Sequence, residues 1–321
     1  MIKNEIVDNS IQFPNQLKNE IIRLKKEKNA IILGHFYQNA DVQDISDFLG
    51  DSLYLAQMAC STDANIIVFA GVKFMAETAK IINPKKKVLL PDLNAGCSLS
   101  DSCNESDFKE FLKKYPDHKV ITYINSSTEV KAMSDIICTS SNAKKVVESF
   151  PKEQKLIFAP DYNLGRYISQ TLNREMVLWP GACHVHKRFN LEKILALKKQ
   201  NKDALIISHP ECEREVLIVS DFIGSTSELL NFTQKNEAKS FIVATESGII
   251  HQMIKYNPDK KFIPAPGDDS SCSCNDCNFM KLITLEKIYQ SLLYEEPEII
   301  IDEELRRKAE LPILRMLDIS R

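Results

Sequence analysis

The sequence predicts an α/β protein of three pseudo-equivalent three-layer α/β/α units with parallel sheets, arranged with pseudo-threefold symmetry. Three observations carry this. Apolar runs of four to six residues alternate with amphipathic segments of helix length, the pattern of buried parallel strands joined by crossover helices. A set of polar residues recurs three times at fixed offsets. Each recurrence is followed by a cysteine-bearing turn.

In chain order, residues 1–29, with "LKNEIIRLKKEKN", predict an amphipathic helix with a solvated face leading into the first strand. The strand run "AIILGHFY" ends at His35 and Tyr37, "KVITYIN" ends at Tyr123 and Asn125, and "ALIISHPE" ends at His209 and Glu211. Twelve residues after the first member of each pair stands an aspartate: Asp47, Asp135 and Asp221. Five further on, in "DFLGDS", "DIICTS" and "DFIGST", comes a hydroxyl residue: Ser52, Ser140 and Thr226. The copies lie 88 and 86 residues apart and contain no gap over this span. The next strands are "NIIVFAG", "KLIFAPD" and "SFIVATE", and "KVLLP", "MVLWP" and "KFIP" close the units. Each unit thus rests on about four parallel strands. The boundaries expected are 1–96 for the N-terminal helix and first unit, 97–182 for the second and 183–276 for the third, with C-terminal helices in 277–321 packing on the body. Alternating strands and helices repeat by architecture alone, and an aspartate before a helix is often a cap. Ungapped matches at two separate spacings favour internal duplication instead.

Composition bounds the function. With 321 residues, 44% hydrophobic and 26% charged, the chain has the make-up of a globular enzyme with a substantial core. The balance of 41 basic and 44 acidic residues leaves no electrostatic footprint for nucleic acid. No apolar run reaches about 18 residues, so no membrane span is expected. The polar N-terminus lacks the apolar stretch of a signal peptide, and a cytoplasmic location with reduced thiols follows as an expectation.

In parallel α/β units ligands bind at the carboxyl ends of the strands, where the three pairs stand. Ser52, Ser140 and Thr226 precede helical runs, which makes them candidate N-caps. Helix N-termini offer free N–H groups to carboxylate or phosphate. A single cap of this kind is routine structure. Three, beside His, Tyr, Asn and Glu, predict a pocket for a polyanionic small molecule.

Nine cysteines in a reducing compartment argue against a disulfide framework, and an isolated cysteine is by default a packing residue. Cys60, Cys103, Cys138 and Cys212 are read that way. "PDLNAGC" delivers Cys97 and "WPGACHVH" delivers Cys183, 62 and 60 residues after their strand-end positions. The same count gives 63 for Cys272, 65 for Cys274 and 68 for Cys277 in "CSCNDC"; it leans toward Cys272 without deciding. One thiolate per unit about a central axis suits an iron–sulfur cluster with one iron free of protein ligands. "CSCNDC" as a self-contained zinc knuckle has weak spacing, with no second pair or nearby histidine partner.

Taken together, "ILGHFYQNADVQDISDFLGDSLYLA", "YINSSTEVKAMSDIICTSSNA", "PGACHVH" and "HPECEREVLIVSDFIGSTSEL" resemble the quinolinate synthase family, the A-proteins of bacterial NAD biosynthesis, over nearly the whole chain. The resemblance implies three homologous α/β domains around a 4Fe-4S cluster with three Cys ligands and one open iron. It implies condensation of iminoaspartate with dihydroxyacetone phosphate to quinolinate, phosphate and water, and leaves room for a partner enzyme that supplies iminoaspartate. By position the cluster ligands are Cys97, Cys183 and Cys277, the last because the family's ligand precedes an aromatic–Met pair, here Phe279 and Met280. The family's commoner C-x2-C-x2-C spacing is broken here by the single Ser273, which keeps Cys272 as a second choice. Substrate contacts fall on His35, Ser52, Tyr123, Asn125, Ser140, His209, Glu211 and Thr226, with Ile124 and Pro210 giving backbone or shape, and His186 and Tyr37 as further positions. Proton transfer is assigned to Glu211, His209 and Tyr37, with Tyr123 also placed among the catalytic groups. The alternatives are a 4Fe-4S hydro-lyase acting on another small dicarboxylic acid, and a non-catalytic zinc-stabilised binding protein. A radical enzyme using S-adenosylmethionine is disfavoured by the lack of a C-x3-C-x2-C run.

Overall fold

The computed structural model describes residues 14–268 and 275–321. Cys272, Cys274 and Ser273 lie outside them, as does the start of the N-terminal segment, whose helix runs Pro14–Glu27. Three four-stranded, all-parallel sheets repeat one topology. The first has strands β1 (Ala30–His35), β2 (Phe48–Gly50), β3 (Ile66–Ala70) and β4 (Lys87–Leu89) in the order β2-β1-β3-β4. The second has β5 (Lys119–Tyr123), β6 (Ile136–Cys138), β7 (Leu156–Ala159) and β8 (Val177–Leu178) in the order β6-β5-β7-β8. The third has β9 (Leu205–Ser208), β10 (Phe222–Ile223), β11 (Ser240–Ala244) and β12 (Lys261–Pro264) in the order β10-β9-β11-β12. Gly34 faces Ala70, Thr122 faces Ala159 and Ser208 faces Ala244, so the three central strand pairs share one register. β3 and β7 are buried along their whole length, as strands covered on both faces must be. β12 is the exposed edge and ends on Pro264, which cannot extend a ladder.

The repeated aspartates have a structural task. Asp47, Asp135 and Asp221 each accept, through Oδ2, the backbone N–H of the neighbouring central strand, from Ile32 at 2.7 Å, Val120 at 2.8 Å and Ile206 at 2.7 Å. Each gives its own N–H back to the carbonyl of that same residue, at 2.9, 2.9 and 2.8 Å. This two-point clasp sets the start of β2, β6 and β10. The serine before each aspartate (Ser46, Ser134 and Ser220) ties off the preceding helical turn by donating to the carbonyl four residues back.

The hydroxyl residues, expected as N-caps, are corrected by the structure. Helix Ser52–Ser61 is capped by Asp51, and helix Thr226–Lys235 by Ser225, which forms a capping box with Glu228. A cap must reach the N–H three residues on, and in both cases the residue before the expected one does so. Ser52 and Thr226 are therefore first-turn residues. Ser140 lies in the turn before helix Ala143–Glu148. The C-terminal helices Leu285–Tyr294 and Glu303–Ile319 pack on the first two sheets' surroundings, the first against Pro14–Glu27 and β3, the second against Lys73–Ile82, Thr128–Ala132 and β6.

Candidate active site

The carboxyl ends of the central strands converge on one cavity. Its wall carries His35, Tyr37, Tyr123, Asn125, His209 and Glu211, the three pairs at the strand ends. Ser52 and Thr226 line it from the first turns of their helices, Ser140 from the turn after β6, and His186 from a short 3-10 turn. Cys97, Cys183 and Cys277 lie on the same wall. Ile124 and Pro210 do not line it: both are buried between the members of their pairs, and the Ile124 side chain belongs to the apolar core.

Local backbone sets the state of two imidazoles. The Tyr37 N–H donates to Nδ1 of His35 at 3.1 Å, and the Glu211 N–H donates to Nδ1 of His209 at 3.4 Å. An Nδ1 that accepts leaves the ring proton on Nε2. Burial pushes His35 down to about 4 and His209 down to about 3, so at neutral pH both rings are uncharged hydrogen-bond donors. His186 stacks on His209 with ring centroids 4.8 Å apart.

Glu211 is only 3% exposed. Burial pushes its carboxyl up, and the facing imidazole of His186 outweighs burial and holds it below the ordinary carboxylate range. Oε2 lies 2.7 Å from Nδ1 of His186, and the Tyr123 hydroxyl donates toward the same carboxylate. Oε1 of Glu211 and Oδ1 of Asn125 are buried without a hydrogen-bond partner among the described residues. Burial raises both phenols, Tyr37 and Tyr123, well above their ordinary value, so both remain protonated donors.

The three thiols come from separate turns, before helix Ser98–Asp101 for Cys97 and before 3-10 turns His186–Arg188 and Met280–Leu282 for Cys183 and Cys277. Desolvation pushes Cys97 up to about 12, Cys277 up to about 11 and Cys183 well above the ordinary thiol value; Cys277 raises Cys97 further, Glu211 with Cys97 and Cys277 raises Cys183, and Glu246 raises Cys277. Such a set stays protonated alone and ionises together only around a cation. Three convergent thiols are a soft donor set, which fits an iron–sulfur cluster. One ligand atom from each of Cys183, His186 and Glu211 also lies within 4.8 Å of the others. Cys103, Cys138 and Cys212 are fully buried in apolar clusters, and Cys60 is exposed.

Four groups at or behind this site escape the sequence reading. Asp51 lines the cavity as the cap of helix Ser52–Ser61. Glu246, 1% exposed, also lines it, and its Oε1 and Oε2 accept the N–H groups of Cys277 and Gly248 at 3.1 and 2.7 Å. Lys281 pairs with Glu246 at 2.9 Å and donates to the Tyr37 carbonyl at 2.8 Å, which fastens the Cys277 turn to the first unit. Thr245 stands behind Tyr37 and His186. A signal existed for Glu246: "SFIVATE" runs a buried strand straight into a carboxylate.

Fold and site together define a three-sheet α/β protein whose pocket, at the strand carboxyl ends, gathers thiols, neutral imidazoles and a buried carboxylate. Comparison with known proteins gives the family. The model of the quinolinate synthetase A protein family matches residues 19–318. A quinolinate synthase of Microcystis aeruginosa is 59% identical over 312 residues, 97% of this chain and 98% of that one. Those of Synechocystis sp. strain PCC 6803 and Chloroherpeton thalassium are 58% and 56% identical, over 96% and 94% of either chain. The chain belongs to the quinolinate synthetase A protein family.

Proposed function

We propose that this chain is a quinolinate synthase of NAD biosynthesis. It condenses iminoaspartate with dihydroxyacetone phosphate to give quinolinate, phosphate and water, with a 4Fe-4S cluster on Cys97, Cys183 and Cys277 and one iron open. The observation that supports this most is the meeting of those thiols on a cavity whose other walls carry His35, His209, Ser52, Ser140, Thr226 and Glu211. When bound, such a cluster supplies a Lewis-acidic site for a substrate oxygen.

The chain's own groups divide the remaining work. The Nε2–H groups of His35 and His209, the three hydroxyls and the free N–H groups at the starts of Ser52–Ser61 and Thr226–Lys235 hold carboxylates and phosphate. Because His209 is a neutral donor, its part is to bind and polarise, and the proton acceptor is Glu211, ionised and with Oε1 free to receive. Tyr123, donating toward that carboxylate, and Tyr37 are protonated phenols able to return a proton during isomerisation and dehydration. Asn125 Oδ1 offers an acceptor for an imine or enamine N–H. Val72, Phe74 and Met75 form an apolar wall that excludes water from the bound substrate. Among the described residues no helix is long and apolar enough to cross a membrane. The enzyme of this reading is cytoplasmic and receives iminoaspartate from a partner enzyme.

Anaerobic reconstitution with iron and sulfide, followed by assay for quinolinate from the two substrates, tests the reading. A product formed only when both substrates are present supports it; turnover of a single dicarboxylic acid without dihydroxyacetone phosphate points to a hydro-lyase. A second reading, one metal ion on Cys183, His186 and Glu211, draws on their close approach. Anaerobic purification separates the two, since a brown protein carries the cluster and a colourless one with stoichiometric zinc does not.

A further inference from the structure

Tyr37 stands in the short turn, residues 36–38, between β1 and helix Ala40–Ile45. Side chains hold all three carbonyls of that turn. Nε2 of Gln43 donates to the Phe36 carbonyl at 2.9 Å and to the Gln38 carbonyl at 2.8 Å, one on each side of Tyr37. Lys281 holds the Tyr37 carbonyl itself at 2.8 Å. The same Nε2 of Gln43 reaches the third unit, donating to the Gly248 carbonyl at 2.8 Å. At its other end, Oε1 of Gln43 accepts from Nε2 of Gln252, in helix Ile249–Tyr256, at 2.8 Å. Gln43 and Gln252 are only 3% and 2% exposed.

The partners fix the direction of every bond. A carbonyl can only accept, so the end of Gln43 that faces three of them is its NH2 group. Its oxygen then faces Gln252, which must turn its own NH2 group inward. Two N–H groups serve three carbonyls, so one of them is shared. Gly248 permits the close approach: a Cβ there would lie 2.8 Å from the Tyr37 carbonyl carbon and 2.9 Å from the Gln38 oxygen. From the turn so held, the Tyr37 phenol extends to the hydroxyls of Thr226 and Thr245, at 2.9 and 2.8 Å, again in the third unit. A phenol oxygen stands at the far end of a rigid side chain, so a small tilt of the turn moves it on the order of 1 Å, enough to cost up to about 10²-fold in rate.

We propose that Gln43, braced by Gln252, is a positioning residue of the proposed reaction: its amide clamps the carbonyls on both sides of Tyr37 to the third unit and so sets where the phenol stands in the cavity. The inference rests on the reading of Tyr37 as a group that returns a proton.

The test uses the full-length, anaerobically reconstituted chain labelled with 3-fluorotyrosine, the Tyr37 fluorine signal being the one lost in Tyr37→Phe. Gln43→Met, of similar length but unable to donate, should shift or split that signal. Its turnover should fall roughly 10- to 100-fold, with a smaller change in KM. In a Tyr37→Phe background the same substitution should change the remaining turnover by no more than about twofold, because the group through which Gln43 acts is already gone. A Gln43 that only stabilised the fold would cost the same in both backgrounds, and that result overturns the proposal. So does a Tyr37 signal left at its wild-type position, or a Gln43→Met turnover within about twofold of wild type. Should Gln43→Met not fold, Gln252→Met, which removes the brace and leaves the carbonyls their donor, is read by the same measurements, with smaller changes in the same direction expected. A wild-type chain that makes no quinolinate overturns the functional reading, whereas the fluorine signal is read without turnover.

Discussion

Asp51 receives the hydroxyl of Ser227 on Oδ2 at 2.6 Å. The same oxygen takes the hydroxyl of Ser141 at 2.7 Å, and Oδ1 takes the N–H of Tyr54 at 3.0 Å. One carboxylate from the first unit therefore pins the segments that carry Ser52, Ser140 and Thr226, in three different units, at the cavity wall. Asp51→Ala removes an N-cap and the shared acceptor together. A loss of about 2–3 kcal/mol in urea unfolding is expected, with a raised KM for both substrates. Asp51→Asn keeps an acceptor oxygen and should lose about half as much. An Ala variant as stable as wild type would show that the clasp carries no energy.

The aspartates Asp47, Asp135 and Asp221 share the repeat with the cavity residues and yet hold strands, not ligands. Replacing any one by Ala strands a buried N–H of Ile32, Val120 or Ile206 and should cost about 1–3 kcal/mol. Asn, whose side-chain oxygen can still accept, should cost less than about 1 kcal/mol. Asp47 and Asp135 also pair with Lys25 and Lys119 at 2.7 and 2.8 Å, so their Asn variants should lose slightly more than Asp221→Asn, and the difference should shrink in high salt. Metal content should not change. A loss of bound iron in these variants, with stability intact, would move the aspartates from framework to site.

This division shows what was legible in the sequence. The strand-end pairs and the following hydroxyls stood out because a parallel α/β unit sends its strand ends to one side, and an ungapped repeat keeps them in phase. The same repeat could not separate Asp47, which ties two strands, from Ser52, which faces the cavity, because both obey one spacing. The "SD" dipeptide present in all three copies was the available clue that two adjacent residues close a turn onto a strand. Thr245 and Asp51 were not legible, since their partners come from other units: Tyr37 meets Thr245 across 208 residues, and Asp51 meets Ser227 across 176. The displacement of the caps by one residue has the same origin, because neighbouring hydroxyl and carboxyl side chains compete for the same N–H and local geometry decides.

The thiol set makes a direct prediction. Cys97→Ser or Cys183→Ser should abolish the visible iron–sulfur absorbance and quinolinate formation together, and Cys277→Ser should do the same. Cys103→Ser and Cys212→Ser, in apolar clusters, should leave the absorbance intact at a stability cost of about 1–3 kcal/mol for a buried hydroxyl. Full iron and sulfide content in Cys97→Ser or Cys183→Ser would remove that residue from the ligand set; loss of the cluster only in a Cys272→Ser chain would transfer the third role from Cys277.

Replacement of Glu211 separates binding from chemistry. Glu211→Gln keeps size and hydrogen-bonding reach but cannot take up a proton, so the cluster absorbance should be retained while turnover falls roughly 10²–10⁴-fold. Near-normal turnover would transfer the acceptor role elsewhere in the cavity.

The buried histidines make stability depend on pH in a direction that can be worked out. Burial lowers His35 to about 4 and His209 to about 3, whereas a histidine in the unfolded chain titrates near about 6.5. As pH falls, the unfolded chain takes up these protons first. Stability is therefore insensitive to both groups above about pH 6.5 and declines below it, down to about 4 for His35 and about 3 for His209. Glu246 opposes this: burial, against the pull of Lys281, raises it to about 7, so the folded chain holds its proton more tightly and stability declines as pH rises from about 4.5 to about 7. The windows overlap, and a wild-type curve alone mixes them. The difference between wild type and His35→Gln isolates one group, since glutamine fills similar space and does not titrate. Urea unfolding of the metal-free chain should show that difference constant above pH 7. Between about pH 6.5 and 4.5 it should move steadily in favour of the variant, by roughly 2–3 kcal/mol. A difference that stays flat across that range would mean that His35 takes up its proton equally well folded and unfolded, and the neutral-donor role assigned to it at the cavity would fall.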